Sequence, residues 1–307
     1  VIMTDAGHMV AMTSAMKRSE MLPTAIEAGC DLFLFFNDPD EDFEYMVNGY
    51  KNGILSEERL QEALERTLGL KAMLGLHKKP GRELLQSKEE AMKKIGLPEN
   101  KKLFREVADQ AITLVKDKQD IWPVTPEKYK RVLLVGVKGF EGGFGAMIGS
   151  KENAVDILKE ILEEKGFEVT IWESTEEQIL KLPPEERVAA MRNKYAQKRP
   201  IAELTDNYDL IINVANVNQG NTVQRPMWPA SKGTPDIPFY VHEVPTIFIS
   251  VQSPFHLADV PQVKTYINAY DSRRETLEVL VEKLMGESEF KGVSPVDAYC
   301  GLLDTHI

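Results

Sequence analysis

The sequence predicts an α/β fold in which short buried strands alternate with amphipathic helices. Continuous apolar runs, such as residues 131–137, are typical of parallel strands that are covered on both faces. Segments between these runs, such as residues 153–165, carry apolar residues at helical spacing. We expect the last two βα units of a TIM barrel at residues 1–78, then a helical connector at 79–118. A doubly wound, Rossmann-like α/β sandwich domain would follow at 119–307.

The composition is that of an ordinary globular protein. The chain has 307 residues, which is enough for two domains, and 43% are hydrophobic and 28% charged. A net charge of −11 argues against nucleic acid or an anionic membrane surface as a partner. We find no apolar stretch near the roughly 18 residues of a membrane span, so no membrane span is predicted. The sequence leaves the compartment open, and both a cytoplasmic and an exported protein are consistent with it.

The barrel prediction begins with the first five residues, an apolar run that ends in Thr4 and Asp5. A helix at 17–28 and a second apolar run at 31–36 follow, which together make a right-handed βαβ unit. Polar residues at the carboxyl ends of barrel strands face the active-site pocket, which makes Asp5 a candidate catalytic residue. The alternative is a helix cap or a turn-forming residue. Two strands cannot close a barrel, so we expect an amino-terminal barrel segment upstream of Val1.

The remaining elements follow from the same patterns. Further helices are predicted at 43–52 and from Ser56 onward, where Ser56 would be the N-cap residue. A break in composition at 77–82 leads to the connector, with helical pieces at 87–95 and 100–110. The sandwich domain is predicted to contain strands at 111–115, 131–137, 168–172, 209–214, 246–251 and 263–268, and helices at 153–165, 176–196 in part, and 273–285.

Several patterns that carry chemistry in other proteins do not fit here. Glycines between 139 and 149 follow a strand, but they match neither GxGxxG nor the end of a P-loop, so a flexible loop is favoured. The five histidines form no HExxH or i, i+4 pair, which disfavours a metal site. Cys30 and Cys300 have no metal-ligand spacing and are expected to be buried free thiols. We therefore predict no metal and no cofactor.

Several segments, in order, resemble glycoside hydrolase family 3. They are Thr4-Asp5-Ala6 with Met9, and residues 25–32, 52–60, 111–117, 250–255, 266–270 and 290–295. Within that family they are most similar to the β-N-acetylglucosaminidase branch. The resemblance covers nearly the whole chain. Gly7 and His8 depart from it, because relatives usually carry a larger apolar residue and another polar one there.

The resemblance implies a retaining glycoside hydrolase that removes β-linked N-acetylglucosamine from glycans or muropeptides, its carbohydrate substrate. Asp5 would be the nucleophile that forms a glycosyl-enzyme, with His8 and Met9 beside it as substrate-binding residues. In this branch the acid/base is a His paired with an Asp on an earlier barrel loop, so it would lie upstream of Val1. In many β-glucosidases of the family it is a Glu of the sandwich domain, for which Glu141 is our candidate. The chain by itself is expected to be inactive.

Three alternatives remain open from the sequence. The chain could be a β-glucosidase of the same family, or a non-catalytic α/β binding or interaction module with residues 1–78 as a docking arm. It could also be a nucleotide-binding, flavodoxin-like domain, which a thermal-shift screen with nucleotides would reveal. The reading frame upstream of Val1 distinguishes the enzyme from the interaction module. An encoded barrel segment would favour the enzyme, and a relative that starts near Val1 would favour the interaction module.

Overall fold

A computed structural model describes residues 1–137, 153–217, 225–228, 233–298 and 301. They form two compact units, Val1–Ile95 and Gly96–Ile307. This division differs from the predicted boundaries at 78/79 and 118/119. The difference has a physical cause, because the helix at Pro98–Ala111 and the strand at Thr113–Asp117 are built into the second unit.

The first unit is a strand–helix–strand arrangement with further helices. Its elements are β1 (Met3–Ala6), α1 (Val10–Thr13), α2 (Arg18–Glu27), β2 (Leu32–Leu34), α3 (Pro39–Lys51), α4 (Glu57–Met73), 3₁₀ turns at Leu76–Lys78 and Gly81–Leu84, and α5 (Lys88–Met92). The two strands pair in parallel, with Met3 opposite Leu32 and Ala6 opposite Leu34. Their carboxyl ends therefore lie at one edge, as the sequence predicts.

Local side chains fix where the helices of this unit begin. Ser56 accepts a hydrogen bond from the Arg59 amide at 3.2 Å and is the N-cap of α4, as predicted. Asp38 caps α3 in the same way, accepting from the Asp40 and Glu41 amides. Helix α3 starts at Pro39 rather than at the predicted residue 43, because this cap and a proline at the first helical position define its start.

The second unit is built on a six-stranded sheet. Its elements are α6 (Pro98–Ala111), β3 (Thr113–Asp117), β4 (Arg131–Val137), α7 (Ala154–Glu164), β5 (Glu168–Ile171), α8 (Thr175–Leu180), α9 (Pro184–Ala196), α10 (Ala202–Thr205), β6 (Leu210–Ala215), β7 (Thr246–Ser250), a 3₁₀ turn at His256–Asp259, β8 (Thr265–Asn268) and α11 (Arg274–Leu284). The strand order is β3-β8-β7-β6-β4-β5, and every pair is parallel except β3 with β8. This confirms the predicted α/β sandwich.

The sheet separates two parts of the core. On one face, Ala108 of α6, Leu158 of α7 and Leu280 of α11 join one large cluster of buried apolar side chains. On the other face, Phe248 and Tyr266 stack with their ring centroids 5.5 Å apart. This unit therefore buries apolar side chains on both sides of its sheet.

Among the helices of the described residues, none is long and apolar enough to cross a membrane.

Candidate active site

Asp5 lies near the carboxyl end of β1, on its exposed face. Burial alternates along the strand, so Thr4 and Ala6 are buried while Met3 and Asp5 are exposed. The buried Thr4 hydroxyl accepts a hydrogen bond from the Leu34 amide of β2 at 2.9 Å. One Asp5 carboxylate oxygen, Oδ1, accepts from the Ala6 amide at 2.7 Å. The carboxylate is thus held at the strand end and remains accessible.

The turn after Asp5 is packed closely against β2. The Gly7 amide donates to the Leu34 carbonyl at 2.9 Å, and the Met9 amide donates to the Ala6 carbonyl at 3.1 Å. A Cβ atom at Gly7 would lie only 2.2 Å from Cε1 of the Phe33 ring. The Phe33 ring therefore occupies the space that a side chain at position 7 would need, which accounts for the glycine at this position.

His8 and Met9, the two predicted substrate-binding residues, directly follow this turn. His8 is exposed, and its ring centroid lies 6.1 Å from that of Phe35, which follows β2. Phe35 has a φ of +50°, in the left-handed region that non-glycine residues rarely adopt. Met9 is half-buried and precedes α1. The structure thus brings His8 beside the end of β2, and the substrate-binding roles of His8 and Met9 remain predictions.

A largely buried ion pair, which could not be predicted from the sequence, holds this edge of the unit together. Arg18 donates from Nη1 to the Gly7 carbonyl at 2.7 Å and from Nε to Asp42 Oδ1 at 2.7 Å. Its Nη2 also bonds to Asp42 Oδ2, which accepts from the Asn37 amide at 2.8 Å. Burial by itself would raise the pKa of Asp42, but the hydrogen bonds from Arg18 and Asn37 outweigh it and lower the pKa.

A second buried ion pair lies at the opposite, amino-terminal ends of the same strands. Asp31 accepts from Arg59 Nη2 at 2.5 Å and from the Ile2 amide at 2.8 Å. The Arg59 guanidinium, and then the Ile2 amide, lower the pKa of Asp31 to about 2. Arg66 Nη1 lies 3.4 Å from the same carboxylate. Asp31 thus ties α4 to the starts of both strands.

Other predicted positions contribute less. Glu141, the glycines between 139 and 149, and Cys300 lie outside the described residues. Cys30 is a free cysteine and is half-buried rather than fully buried. Within the described ranges, no group of three or more His, Cys, Asp or Glu residues is placed to hold a metal ion.

Comparison with known proteins connects this site to a family. Residues 1–70 match the model of the glycosyl hydrolase family 3 N terminal domain. A β-N-acetylglucosaminidase/β-glucosidase of Cellulomonas fimi is 38% identical over 309 aligned residues, which cover 100% of this chain and 51% of that protein. This chain belongs to glycoside hydrolase family 3. The resemblance predicted from the sequence is thus confirmed at the level of the family.

Solved structures of family 3 proteins share the fold of this family 3 chain. A β-glucoside phosphorylase, BglX, superposes with a TM-score of 0.71 and 38% identity, covering 100% of this chain and 50% of that one. A family 3 β-N-acetylglucosaminidase from Paenibacillus sp. str. FPU-7 superposes with a TM-score of 0.58 at 22% identity, covering 97% and 51%. The chain spans about half the length of these relatives.

Proposed function

We propose that the gene product carrying this chain is a retaining glycosidase that removes β-linked N-acetylglucosamine, with Asp5 as its nucleophile. The observation that carries the proposal is the position of Asp5, a carboxylate exposed at the carboxyl end of a strand in a family 3 chain. The turn that follows is fixed by backbone hydrogen bonds and by Arg18. Such support matches what a nucleophile needs, since it must meet the anomeric carbon in a defined geometry.

The proposed reaction has two steps. An Asp5 carboxylate oxygen attacks the anomeric carbon while an acid protonates the departing oxygen, giving a glycosyl ester on Asp5 and a free alcohol. Water then attacks the same carbon, and the group that served as the acid now acts as the base and takes the proton of the water. The ester bond breaks, which releases the sugar and the Asp5 carboxylate. Oδ1 accepts from the Ala6 amide and, within the described part of the chain, Oδ2 accepts no hydrogen bond. This supports Oδ2 as the attacking atom. The proposal assigns the acid/base to the amino-terminal barrel segment.

The test is turnover of p-nitrophenyl β-N-acetylglucosaminide by the gene product. We expect Asp5→Ala and Asp5→Asn to lower kcat by at least about a thousandfold, because no ester can form. Asp40→Asn is the matched control, since it removes an exposed carboxylate from the first turn of α3 and should leave kcat unchanged. A 2-fluoro glycoside should label the peptide that contains Asp5, as mass spectrometry would show. Full turnover by Asp5→Ala would contradict the assignment of the nucleophile, whereas absence of turnover in the wild-type gene product would favour the interaction module.

A second measurement decides which sugar the protein removes. The Cellulomonas fimi relative is named for both β-N-acetylglucosaminidase and β-glucosidase activity. We expect kcat/KM to be higher for the N-acetylglucosaminide than for the matching β-glucoside. The reverse ratio would make the protein a β-glucosidase, while leaving the role of Asp5 intact.

A second candidate reaction replaces water by phosphate. It is favoured by the 38% identity to a structure described as a β-glucoside phosphorylase. Here phosphate would attack the glycosyl ester on Asp5, giving a sugar 1-phosphate and free carboxylate. Adding inorganic phosphate to the assay and quantifying sugar 1-phosphate against free sugar distinguishes the two. Free sugar as the only product supports hydrolysis, and sugar 1-phosphate supports phosphorolysis.

A further inference from the structure

Arg18 makes contacts that only a guanidinium can make together. Its Nη1 bonds to the Gly7 carbonyl, while Nε and Nη2 bond to both carboxylate oxygens of Asp42. The side chains are 16% and 6% exposed, so the pair is largely shielded from water. Bidentate bonds of this type fix orientation as well as distance. A lysine at position 18 would keep the charge but could not make all three bonds.

The same ion pair joins the ends of both strands. Asp42 Oδ2 accepts from the Asn37 amide at 2.8 Å, in the segment that follows β2, while Arg18 holds Gly7, in the turn that follows β1. Arg18 lies on α2 and Asp42 on α3, so two helices are involved. The pair therefore ties the two strand-end segments to the helices beside them.

These contacts act on the backbone two residues from Asp5. The Gly7 amide bonds to Leu34, and its carbonyl bonds to Arg18, so both polar groups of Gly7 are held. The peptide group that joins Asp5 and Ala6 supplies the Ala6 N–H that binds the Asp5 carboxylate. A tilt of the Gly7 carbonyl would therefore be passed to the carboxylate through one intervening residue.

We propose that Arg18, held in place by Asp42, is a positioning residue that sets the orientation of the Asp5 carboxylate. The inference rests on the proposed role of Asp5 as nucleophile. Misplacing a reacting group by about 1 Å costs about a hundredfold in rate. Arg18 thus acts through Gly7 and Ala6, and does not itself need to touch the sugar.

The chain contains a matched control for this proposal. Arg59 and Asp31 form an ion pair in the same unit, with side chains 9% and 0% exposed. That pair lies at the amino-terminal ends of the strands, where it contacts the Ile2 amide and not the turn after Asp5. Its loss should therefore reduce stability without moving Asp5.

The experiment compares Arg18→Lys, Arg18→Ala, Asp42→Asn and Arg59→Lys in the gene product, assayed with p-nitrophenyl β-N-acetylglucosaminide. We expect Arg18→Lys to lower kcat by about 10- to 100-fold, with KM changed less than about threefold, and Asp42→Asn to lower kcat less. Arg59→Lys should lower Tm and leave kcat per folded molecule unchanged. Guanidinium added at millimolar concentration should restore part of the kcat of Arg18→Ala.

Several outcomes would overturn the proposal. Wild-type kcat in Arg18→Lys, a parallel loss of kcat in Arg59→Lys, or no rescue of Arg18→Ala by guanidinium would each do so. Failure of both Arg18→Lys and Asp42→Asn to fold would also do so, because it would assign the pair to stability alone. Retained turnover by Asp5→Ala would instead reject the nucleophile, whatever the Arg18 variants do. Loss of turnover in Asp5→Ala with normal Arg18→Lys would reject only the positioning role.

Discussion

Gly7 determines how closely the turn after Asp5 approaches β2. Its backbone does not have a positive φ, so the requirement for glycine comes from space rather than from conformation. The Phe33 ring lies where a Cβ would be, and Phe33 packs against the small core around Leu55. A side chain at position 7 would have to displace a ring that supports the unit.

We therefore expect Gly7→Ala to be destabilising, by about 1–3 kcal/mol, because it overpacks a filled position. It should also lower kcat, since the turn next to Asp5 must shift. Gly69→Ala is the control, because Gly69 lies within α4 with nothing within 4 Å of its Cβ position. Replacing a helical glycine there should stabilise by about 0.5–1 kcal/mol. Urea unfolding measures both effects, and equal stability of the two variants would contradict the packing argument.

Elements were predicted well where their own sequence decides them. The strand at Arg131–Val137 has the predicted bounds because its apolar run is continuous. Helix α7 begins after Asn153, which caps it through the Val155 amide. The edge strand β3 was predicted at 111–115 but lies at Thr113–Asp117, because antiparallel pairing with β8, distant in sequence, sets its register.

The same reasoning explains which residues of the candidate site could be predicted from the sequence and which could not. Asp5 could be predicted because a carboxylate that ends an apolar strand is visible in local sequence. Arg18 and Asp42 could not be paired, because they lie 24 residues apart on different helices and no periodicity connects them. Their partner atoms are the backbone groups of Gly7 and Asn37, which carry no sequence signal.

The Asp31 carboxylate links β1, β2 and α4, and its pKa predicts a pH dependence at the level of these elements. The folded-state pKa of about 2 lies below the roughly 3.9 of an unfolded aspartate. The folded state is therefore stabilised by the ionised form above about pH 4, and this contribution is lost as the pH falls toward 2.

We expect Asp31→Asn to reduce the stability of the protein most at neutral pH. The difference from wild type should shrink between about pH 4 and pH 2, as the wild-type carboxylate takes up its proton. Urea unfolding at pH 7 and pH 3 measures this, with Asp40→Asn as the exposed control. A difference that is independent of pH would show that lost packing, rather than charge, accounts for the effect.

The two units of the molecule differ in how much core they contain. In the second, a large cluster of apolar side chains lies under α6, α7 and α11, and a second set covers the other face of the sheet. In the first, the buried apolar side chains among the described residues are Ala6, Met21, Leu22, Pro23, Ile26, Leu55 and Ala63, over a two-stranded sheet. A two-stranded sheet with so small a core is marginal by itself.

An ion-pair cluster around the buried Lys283 indicates where the second unit begins. Lys283 of α11, whose side chain is fully buried, donates to Asp109 of α6 at 2.9 Å and to the Glu289 carbonyl. Lys291 first, then Ser288 and Lys283, hold the pKa of the Asp109 carboxyl well below its usual range. Helix α6 thus supplies the carboxylate that pairs with a buried ammonium, so it belongs energetically with α11.

We expect a fragment of residues 96–307 to unfold cooperatively on its own, and a fragment of residues 119–307 to be much less stable. The shorter fragment lacks α6 and β3, so it leaves Lys283 without Asp109 and exposes the edge of β8. Removing one partner of a buried ion pair costs about 3–5 kcal/mol, and the apolar contacts of Ala108 are lost in addition. Thermal unfolding followed by circular dichroism compares the two. Equal Tm values would place the boundary at 118/119. A lower Tm in the shorter fragment, together with a lower Tm for Asp109→Asn in the longer fragment, would support the boundary at 95/96.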